Sequence, residues 1–225
     1  MIEFEGGSFG YGATPVLSDI TLTLEPGGFY FLTGPSGSGK TTFLKLCYLE
    51  LRLSEGSATF FGSPTSEMDR DAVAAMRRRV GVVQQNCKFL DHLSVEQNIA
   101  LPLDIADRRT EQHLQNVQEL IEWVALRDRA GAFPPELSGG ELQRTALARA
   151  VILSPELIIA DEPTGNVDSE MGQQLLMLLV ELNKMGRTVI VATHDLDLIR
   201  AAKAHVAARV LRIAQGKLIQ AGAEL

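Results

Sequence analysis

A glycine-rich loop with a lysine and two threonines is the segment whose residue types are best suited to chemistry. It reads Gly34-Pro35-Ser36-Gly37-Ser38-Gly39-Lys40-Thr41-Thr42 and fits the pattern G-x-x-x-x-G-K-[ST]. Glycines let the backbone curl so that successive N–H groups point at phosphate oxygens, and a helix that starts at the loop presents its positive end to them. Lys40 is expected to reach the β- and γ-phosphates, and the Thr41 hydroxyl to ligate Mg²⁺. The loop predicts a nucleoside triphosphate site, but kinases, GTPases, helicases and transport ATPases all share it.

Two carboxylates follow an apolar run and are placed to act on such a triphosphate. Residues 157–160 are Leu-Ile-Ile-Ala, and Asp161 and Glu162 come directly after them. A buried parallel strand would deliver Asp161 to the carboxyl edge of a sheet, where it can hold the metal, usually through water. Glu162 would then orient and deprotonate the attacking water. The pair therefore predicts hydrolysis of the triphosphate.

A second anion-binding segment has no lysine of its own. Residues 137–144 (Leu-Ser-Gly-Gly-Glu-Leu-Gln-Arg) place a serine and two backbone N–H donors at the start of a helix predicted from Glu141 to about Leu153. A simple helix N-cap would explain Ser138 but not the whole octet. Because one chain does not need two cradles for one nucleotide, we interpret this segment as serving the γ-phosphate bound by a second copy.

The elements that must position these segments alternate between strands and helices. Short apolar runs at 29–33, 80–83, 157–160 and 188–192 read as strands buried on both faces, with helices predicted at 41–49, 169–185 and 196–202. The alternation predicts an α/β fold around a mostly parallel sheet.

Other regions depart from that alternation. Residues 1–30 and 56–61 read as short strands, which predicts an antiparallel sheet at one edge, and residues 210–219 read as a hairpin that turns at Gln215-Gly216. Residues from about 90 to 154 are predicted to be almost wholly helical, and Ser94 with Gln97 matches a capping box. We therefore expect one domain over residues 1–225, with a helical subdomain inserted at about 90–154.

Composition narrows the classes of partner. The 225 residues carry a formal net charge of −7, which argues against nonspecific binding to nucleic acid. The run Arg77-Arg78-Arg79 is interpreted as a solvated helix end.

Cys47 and Cys87 lack metal-type spacing, so a reduced compartment is the default. Neither a secretory signal nor an apolar stretch of ~20 residues is visible, and we expect a cytoplasmic protein.

The order of these motifs resembles that of the ATP-binding subunits of ABC transporters, whose signature LSGGQ stands here as LSGGE. The resemblance spans essentially the whole chain. It implies a P-loop NTPase fold, namely an ABC nucleotide-binding domain with a RecA-like core, an antiparallel β edge and an inserted helical subdomain. It also implies ATP as substrate, Mg²⁺ as cofactor, and a homodimer that closes head to tail over ATP. The residues expected to act on the partner's ATP are Ser138, Gly139, Gly140 and Glu141.

The resemblance assigns further nucleotide and metal contacts. Phe9-Gly10-Tyr11 matches the segment whose ring stacks on adenine, so Tyr11 takes that role, with Val16 near the ribose and strand packing as the alternative for Tyr11. Residues 80–85 align with the Q-loop, which makes Gln85 a metal-facing residue beside Thr41 and Asp161. Gln84 stands where relatives usually carry Phe or Tyr, which leaves open which of the two glutamines points into the site.

Two more loops complete the implied site. Asn166-Val167-Asp168 matches the D-loop, in which Asp168 touches the opposite subunit. His194 follows the last predicted core strand and is expected to contact the γ-phosphate and to support Glu162. A lone histidine at this place would otherwise be structural.

Finer features are similar to one branch of the family. Residues 161–168 (Asp-Glu-Pro-Thr-Gly-Asn-Val-Asp) are close to the DEPTGNLD form of cell-division, lipoprotein-release and macrolide-export ATPases, and stretches at 31–37, 90–103 and 192–199 favour the cell-division branch. That branch implies an integral membrane partner of the FtsX type, which controls cell-wall hydrolases and holds the chain at the inner face of the cell membrane. A lipoprotein-release or macrolide-type exporter ATPase is the alternative.

Two other classes are open to a chain with these motifs. An ABC protein that acts on DNA or ribosomes usually has two such domains, coiled-coil insertions or zinc motifs, none of which this sequence contains. A scaffold that binds ATP without cleaving it would not need Glu162 and His194.

Overall fold

Ten strands in two sheets and seven α-helices make up the part of the chain that the computed structural model describes, which is residues 1–107, 110–165 and 167–220. The strands are β1 (Ile2–Tyr11), β2 (Thr14–Leu24), β3 (Phe29–Thr33), β4 (Glu55–Phe60), β5 (Ser63–Pro64), β6 (Val80–Val83), β7 (Leu157–Asp161), β8 (Thr188–Ala192), β9 (Ala208–Ala214) and β10 (Lys217–Gln220). The helices are α1 (Lys40–Cys47), α2 (Arg70–Arg77), α3 (Val95–Ile105), α4 (Glu111–Trp123), α5 (Gly139–Val151), α6 (Ser169–Lys184) and α7 (Leu196–Lys203). Single 3₁₀ turns lie at Thr65–Glu67, Arg127–Arg129 and Pro134–Glu136.

The central sheet has the strand order β10-β9-β3-β8-β7-β6. All its neighbours pair in parallel except β9 and β10, which form the predicted hairpin. That hairpin turns at Gln215 and Gly216, whose φ angles of 51° and 74° match the left-handed turn that joins two strands tightly. The four predicted parallel strands are confirmed, because apolar runs buried on both faces fit only a covered sheet.

The predicted antiparallel edge is a four-stranded sheet in the order β2-β1-β4-β5. Its first two strands have 10 and 11 residues, so the prediction of short strands is wrong there. Bulges in the β1–β2 pairing let the long strands bend, which hides their continuity from a sequence pattern. Phe4 and Phe60 of this sheet pack with Phe43 of α1, at ring distances of 5.5 Å between Phe4 and Phe43 and 6.1 Å between Phe4 and Phe60. Helix α1 is thereby fixed between the two sheets.

Helices α3, α4 and α5 form the helical lobe, which encloses its own cluster of buried apolar side chains. The predicted capping box begins α3: the Ser94 and Gln97 side chains each accept a hydrogen bond from the other's backbone N–H. The lobe meets the core where the Trp123 indole N–H donates to the Glu181 carboxylate of α6 at 3.1 Å. Among the described helices, none combines the length and apolarity needed to cross a membrane.

The basic run lies at the end of α2, a helix that the sequence reading did not identify. Helix α2 ends at Arg77, and Arg77 and Arg78 are exposed, although the Arg77 guanidinium also donates to the Leu49 carbonyl at 2.8 Å. Arg79 is different, because its guanidinium pairs with Glu156 at 2.6 Å and lies 3.7 Å from the centre of the Phe61 ring. The interpretation as solvated charge is therefore wrong for Arg79, which ties β6 to the strand beside it.

The close approach of β6 to α5 gives a stability prediction. A Cβ added at Gly81 would overlap the backbone carbonyl oxygen of Ala150, which cannot move as a side-chain end can. We expect Gly81→Ala to lower the free energy of unfolding by about 1–3 kcal/mol, measured by urea denaturation. Gly131→Ala is the control, since no described atom lies within 4 Å of a Cβ there. Equal stability of the two variants would contradict the packing.

Candidate active site

The carboxyl ends of three neighbouring parallel strands bring the predicted catalytic segments together. Ala192, which ends β8, is in register with Leu32 of β3 on one side and Asp161 of β7 on the other. The phosphate loop, Glu162 and His194 leave the sheet just beyond this level. They enclose a cavity of about 720 Å³. Its lining consists of Tyr11, Val16, Gly34, Pro35, Ser36, Gly37, Gly39, Lys40, Thr41, Thr42, Gln85, Asp161, Glu162 and His194.

The phosphate loop curls around the Lys40 ammonium. Lys40 Nζ donates to the carbonyl oxygens of Gly34 at 2.9 Å and Pro35 at 3.4 Å, and lies 4.0 Å from Glu162 Oε1. Gly39, with φ of 103°, supplies the turn into α1 that a side chain would strain. The Ser38 side chain does not line the cavity, since its Oγ is buried with no hydrogen-bond partner among the described atoms. The loop therefore presents its lysine to the cavity, while the nucleotide contact predicted for Ser38 stays a prediction.

Two of the residues proposed for the metal are in direct contact, and the third lines the same cavity. Thr41 Oγ1 donates to Asp161 Oδ2 at 2.8 Å, and Gln85 lines the same cavity. Burial raises the pKa of the Asp161 carboxyl, the Thr41 hydrogen bond lowers it, and the Glu162 charge raises it further. No group of three His, Cys, Asp or Glu that could hold a metal occurs among the described residues. A hydroxyl, a carboxylate and an amide fit Mg²⁺ at a nucleotide, because this ion takes few protein oxygens and completes its shell with phosphate and water.

Glu162 and His194 form a hydrogen-bonded pair at the mouth of the phosphate loop. Glu162 has a φ of 45°, and its N–H donates to the Ala192 carbonyl at 2.9 Å, which turns the chain sharply after β7. His194 Nδ1 lies 3.1 and 3.0 Å from the two carboxylate oxygens. The Glu162 carboxylate is 12% exposed, whereas the His194 side chain is 77% exposed. The pair thus presents a partly buried base held by an accessible imidazole.

Tyr11 and Val16 line the outer part of the cavity. The Tyr11 side chain packs edge-on against Phe9, with 5.0 Å between ring centres, and Tyr11 is 54% exposed. An open aromatic face can stack on a base. This exposure argues against the alternative that Tyr11 is ordinary strand packing.

The two adjacent glutamines point to different places. Gln85 lines the cavity, whereas Gln84 is absent from its lining among the described residues. The geometry therefore selects Gln85 as the glutamine that can meet a nucleotide.

The second anion-binding segment lies away from this cavity. None of the described residues 137–144 lines it. Helix α5 begins at Gly139, two residues before the predicted start, because Ser138 is its N-cap and Glu141 completes a capping box. Gly140 is buried against Met171, so a Cβ there would lie 2.7 Å from Met171 Cγ. The segment is a formed helix start with exposed Ser138 and Gly139.

The D-loop residue Asp168 caps α6 and accepts the Met171 N–H at 2.8 Å. Asn166, in the same predicted loop, lies outside the described residues. Asp168 does not line the cavity of its own chain, as far as the described residues show.

Two buried amide side chains, Asn98 and Gln143, have no role in the sequence analysis. Asn98 accepts the Leu90 N–H and donates to the carbonyls of Leu90, Leu93 and Ser94, which fixes the loop before α3. Gln143 bonds to the backbone of Gln85. Each of these polar side chains lies on the apolar side of a helix, where an unpaired amide is costly. That position is the sequence feature that could have predicted a structural hydrogen bond.

Comparison with known proteins places these features in a family. Residues 17–165 match the family described as ABC transporter. The cell division ATP-binding protein FtsE of Escherichia coli (strain K12) is 41% identical over 201 residues, covering 88% of this chain and 90% of that protein. FtsE of Bacillus subtilis (strain 168) is 36% identical over 204 residues, covering 91% and 88%. A dimeric post-hydrolysis structure of the ATP-binding cassette MJ0796, bound to ADP and Pi, aligns with a TM-score of 0.86 at 30% identity, covering 98% of each chain.

The capping box of α5 gives a pH-dependent stability prediction. The Ser138 N–H donates to Glu141 at 2.7 Å and, with Arg129, holds the pKa of Glu141 below its ordinary 4.5. The depressed pKa means that this stabilisation is present above pH 4.5 and is lost as the pH falls through the folded-state pKa.

We expect Glu141→Ala to lower the free energy of unfolding by about 1 kcal/mol at neutral pH, and by less in acid. Glu141→Gln keeps an acceptor oxygen and is expected to lose less. Urea denaturation of the parent protein and both variants, at neutral pH and in acid, measures these free energies of unfolding. A loss from Glu141→Ala that is the same in acid would show that the carboxylate charge has no part in the cap.

Proposed function

Since this chain belongs to the ABC transporter family and is an ATP-hydrolysing ATP-binding protein, we propose that Lys40, Glu162 and His194 perform the hydrolysis at the cavity described above. The carrying observation is their convergence: Lys40 is 4.0 Å from Glu162, and Glu162 is 3.0 Å from His194, at the end of one phosphate loop. ATP and water become ADP and phosphate there.

Each side chain has a task that its position supports. Lys40 leaves the loop carbonyls to neutralise the β- and γ-phosphates. Glu162 accepts a proton from the attacking water, and its small exposure keeps competing water away. His194 holds the carboxylate and reaches the γ-phosphate, while Tyr11 and Val16 receive the adenine and ribose. Mg²⁺, held by Thr41, Gln85 and Asp161, would supply neutralising charge on the phosphates when bound.

The signature segment acts on the ATP of a second copy. It is a formed helix start with a positive dipole end, and it lies outside its own chain's cavity. A head-to-tail homodimer, in which Asp168 also meets the opposite subunit, would place Ser138, Gly139 and Gly140 on the partner's γ-phosphate and leave Glu141 in the cap. The related cassette MJ0796 is described as dimeric.

The biological role proposed is that of the cell-division relatives. The relatives named cell division ATP-binding protein FtsE match about nine-tenths of this chain, so an FtsX-like integral membrane protein is the proposed partner, and cell-wall hydrolases its target. The chain would then be cytoplasmic and held at the inner face of the membrane by that partner.

A groove of about 510 Å³ between α2, β6 and the helical lobe suits the partner's cytoplasmic segment. Leu101 and Pro102 supply an apolar floor, Ile105 is 71% exposed, and Arg78 stands at the rim. An amphipathic helix with acidic residues would complement this surface.

The proposed base is tested by Glu162→Gln. The amide cannot take the proton from water, so we expect kcat for ATP to fall at least ~100-fold while ATP still binds. Lys40→Ala should instead weaken ATP binding itself. Glu156→Gln, the same change just before β7, is the control and should keep turnover, because Glu156 pairs with Arg79 away from the cavity. Phosphate release measures kcat, and nucleotide titration measures ATP binding. Intact turnover in Glu162→Gln would remove Glu162 from the chemistry.

The cell-division role is tested by capture from membranes with Glu162→Gln and ATP, which should hold the closed dimer on its partner. We expect recovery of a division-type membrane protein with a large external domain. Recovery of a lipoprotein-release or efflux permease, or of no membrane protein, would overturn the role but not the ATPase assignment. The Lys40→Ala variant is the control for dependence on nucleotide.

A further inference from the structure

We propose that Gln143 is a positioning residue that ties the Gln85 segment of the ATP cavity to the helix carrying the signature. Its amide joins these two parts of the molecule directly. The inference rests on the role proposed above for Gln85 in this chain's own ATP site. It adds a residue through which the two ATP sites of a dimer are coupled.

The Gln143 side chain uses both ends of its amide outside its own helix. Nε2 donates to the backbone carbonyl of Gln85 at 3.2 Å, and Oε1 accepts the Cys87 thiol at 3.5 Å. The orientation follows from the partners, because a carbonyl only accepts and must face the NH₂ group. Gln143 is 3% exposed, so neither bond can be replaced freely by water.

Cys87 completes the arrangement as a donor. Its Sγ also lies 3.1 Å from the Gln84 carbonyl. Burial raises the pKa of this thiol to about 11, against a smaller opposite effect of Arg149. The thiol is therefore protonated at neutral pH, and its single proton is shared between two acceptors, the Gln84 carbonyl and Gln143 Oε1. The bond from Nε2 to the Gln85 carbonyl sets the orientation of the amide, and the thiol is compatible with it.

Helix α5 connects this amide to the signature. Gln143 lies five residues after Ser138 on α5, a rise of ~7.5 Å along the helix. At the other end of α5, the Ala150 carbonyl lies against Gly81 of β6, which leads into the Gln85 segment. The segment is thus held to α5 at two levels. A shift of α5 on meeting the partner's γ-phosphate would move the Gln85 backbone with it.

A buried glutamine that merely satisfies its own polar atoms would give the same contacts. The two roles differ in what happens when Gln85 is absent. A positioning residue acts through Gln85, so its removal costs nothing further once the Gln85 side chain is gone. A structural residue lowers turnover by the same factor in either background.

The experiment is a double-mutant cycle of Gln143→Leu and Gln85→Ala, read as kcat and KM for ATP hydrolysis by the full chain. We expect Gln143→Leu to lower kcat about ten- to a hundredfold, because misplacing a site group is costly, with KM changed less than about threefold. The double variant should match Gln85→Ala within about twofold. Gln143→Met serves as the second apolar variant if the Leu variant does not fold, with thermal unfolding as the check.

Thr145→Val is the matched control, since Thr145 is also buried on the same helix, and its hydroxyl donates to the Glu141 carbonyl within that helix. Its kcat should stay within about twofold of the parent. Normal kcat in both Gln143 variants, or factors that multiply in the double variant, would overturn the positioning role alone. No effect of Gln85→Ala would overturn both that role and the one proposed for Gln85, whereas the Glu162→Gln test of hydrolysis stands apart.

Discussion

Ala192 pairs with Leu32 on one side and with Asp161 on the other, so three parallel strands end at a common level. The relative positions of the charged side chains in the cavity depend on that register. The phosphate loop leaves β3, the carboxylates leave β7 and His194 leaves β8 within reach of one another, although they are far apart in the sequence. A shift of one residue in either pairing would move a carboxylate or the imidazole by ~3.3 Å, more than a hydrogen bond tolerates. The apolar faces that cover this sheet therefore determine the geometry of the chemistry.

Much of this sheet was predictable because its strands are buried on both faces. Runs such as 188–192 contain only apolar or β-branched residues, and each is bounded by a turn or helix signal. The strand order was not predictable, since the pairing of β3 with β8 and β9 is a property of the whole chain. The sequence analysis does not predict α2, because it has only eight residues and its apolar side chains, Ala72, Val73 and Met76, are only partly buried against the core. For β1 and β2 the sequence predicts short strands, because bulges interrupt the alternation of these long strands.

Some residues of the site could be predicted from the sequence and others could not, again for a physical reason. Motif residues such as Lys40, Glu162 and His194 could be identified because their chemistry requires particular side chains at fixed spacings. The register of residues 80–85 favours Gln85 over Gln84, but it leaves the choice open, because one residue's difference in backbone direction decides which side chain faces the cavity. Nor could the sequence show that the Glu141 carboxylate turns back to the Ser138 N–H. That contact explains why a glutamate serves at this place in the signature: it offers the helix start the same acceptor as a glutamine.

The hydrogen bond between Trp123 and Glu181 has a use beyond holding the helical lobe to the core. Trp123 is the chain's single tryptophan, and its indole N–H is bonded to a carboxylate on the other side of the joint. Indole emission responds to the polarity around the ring and to nearby charge. The natural fluorescence of this protein therefore reports the separation of lobe and core, with no label attached and no other tryptophan to obscure it.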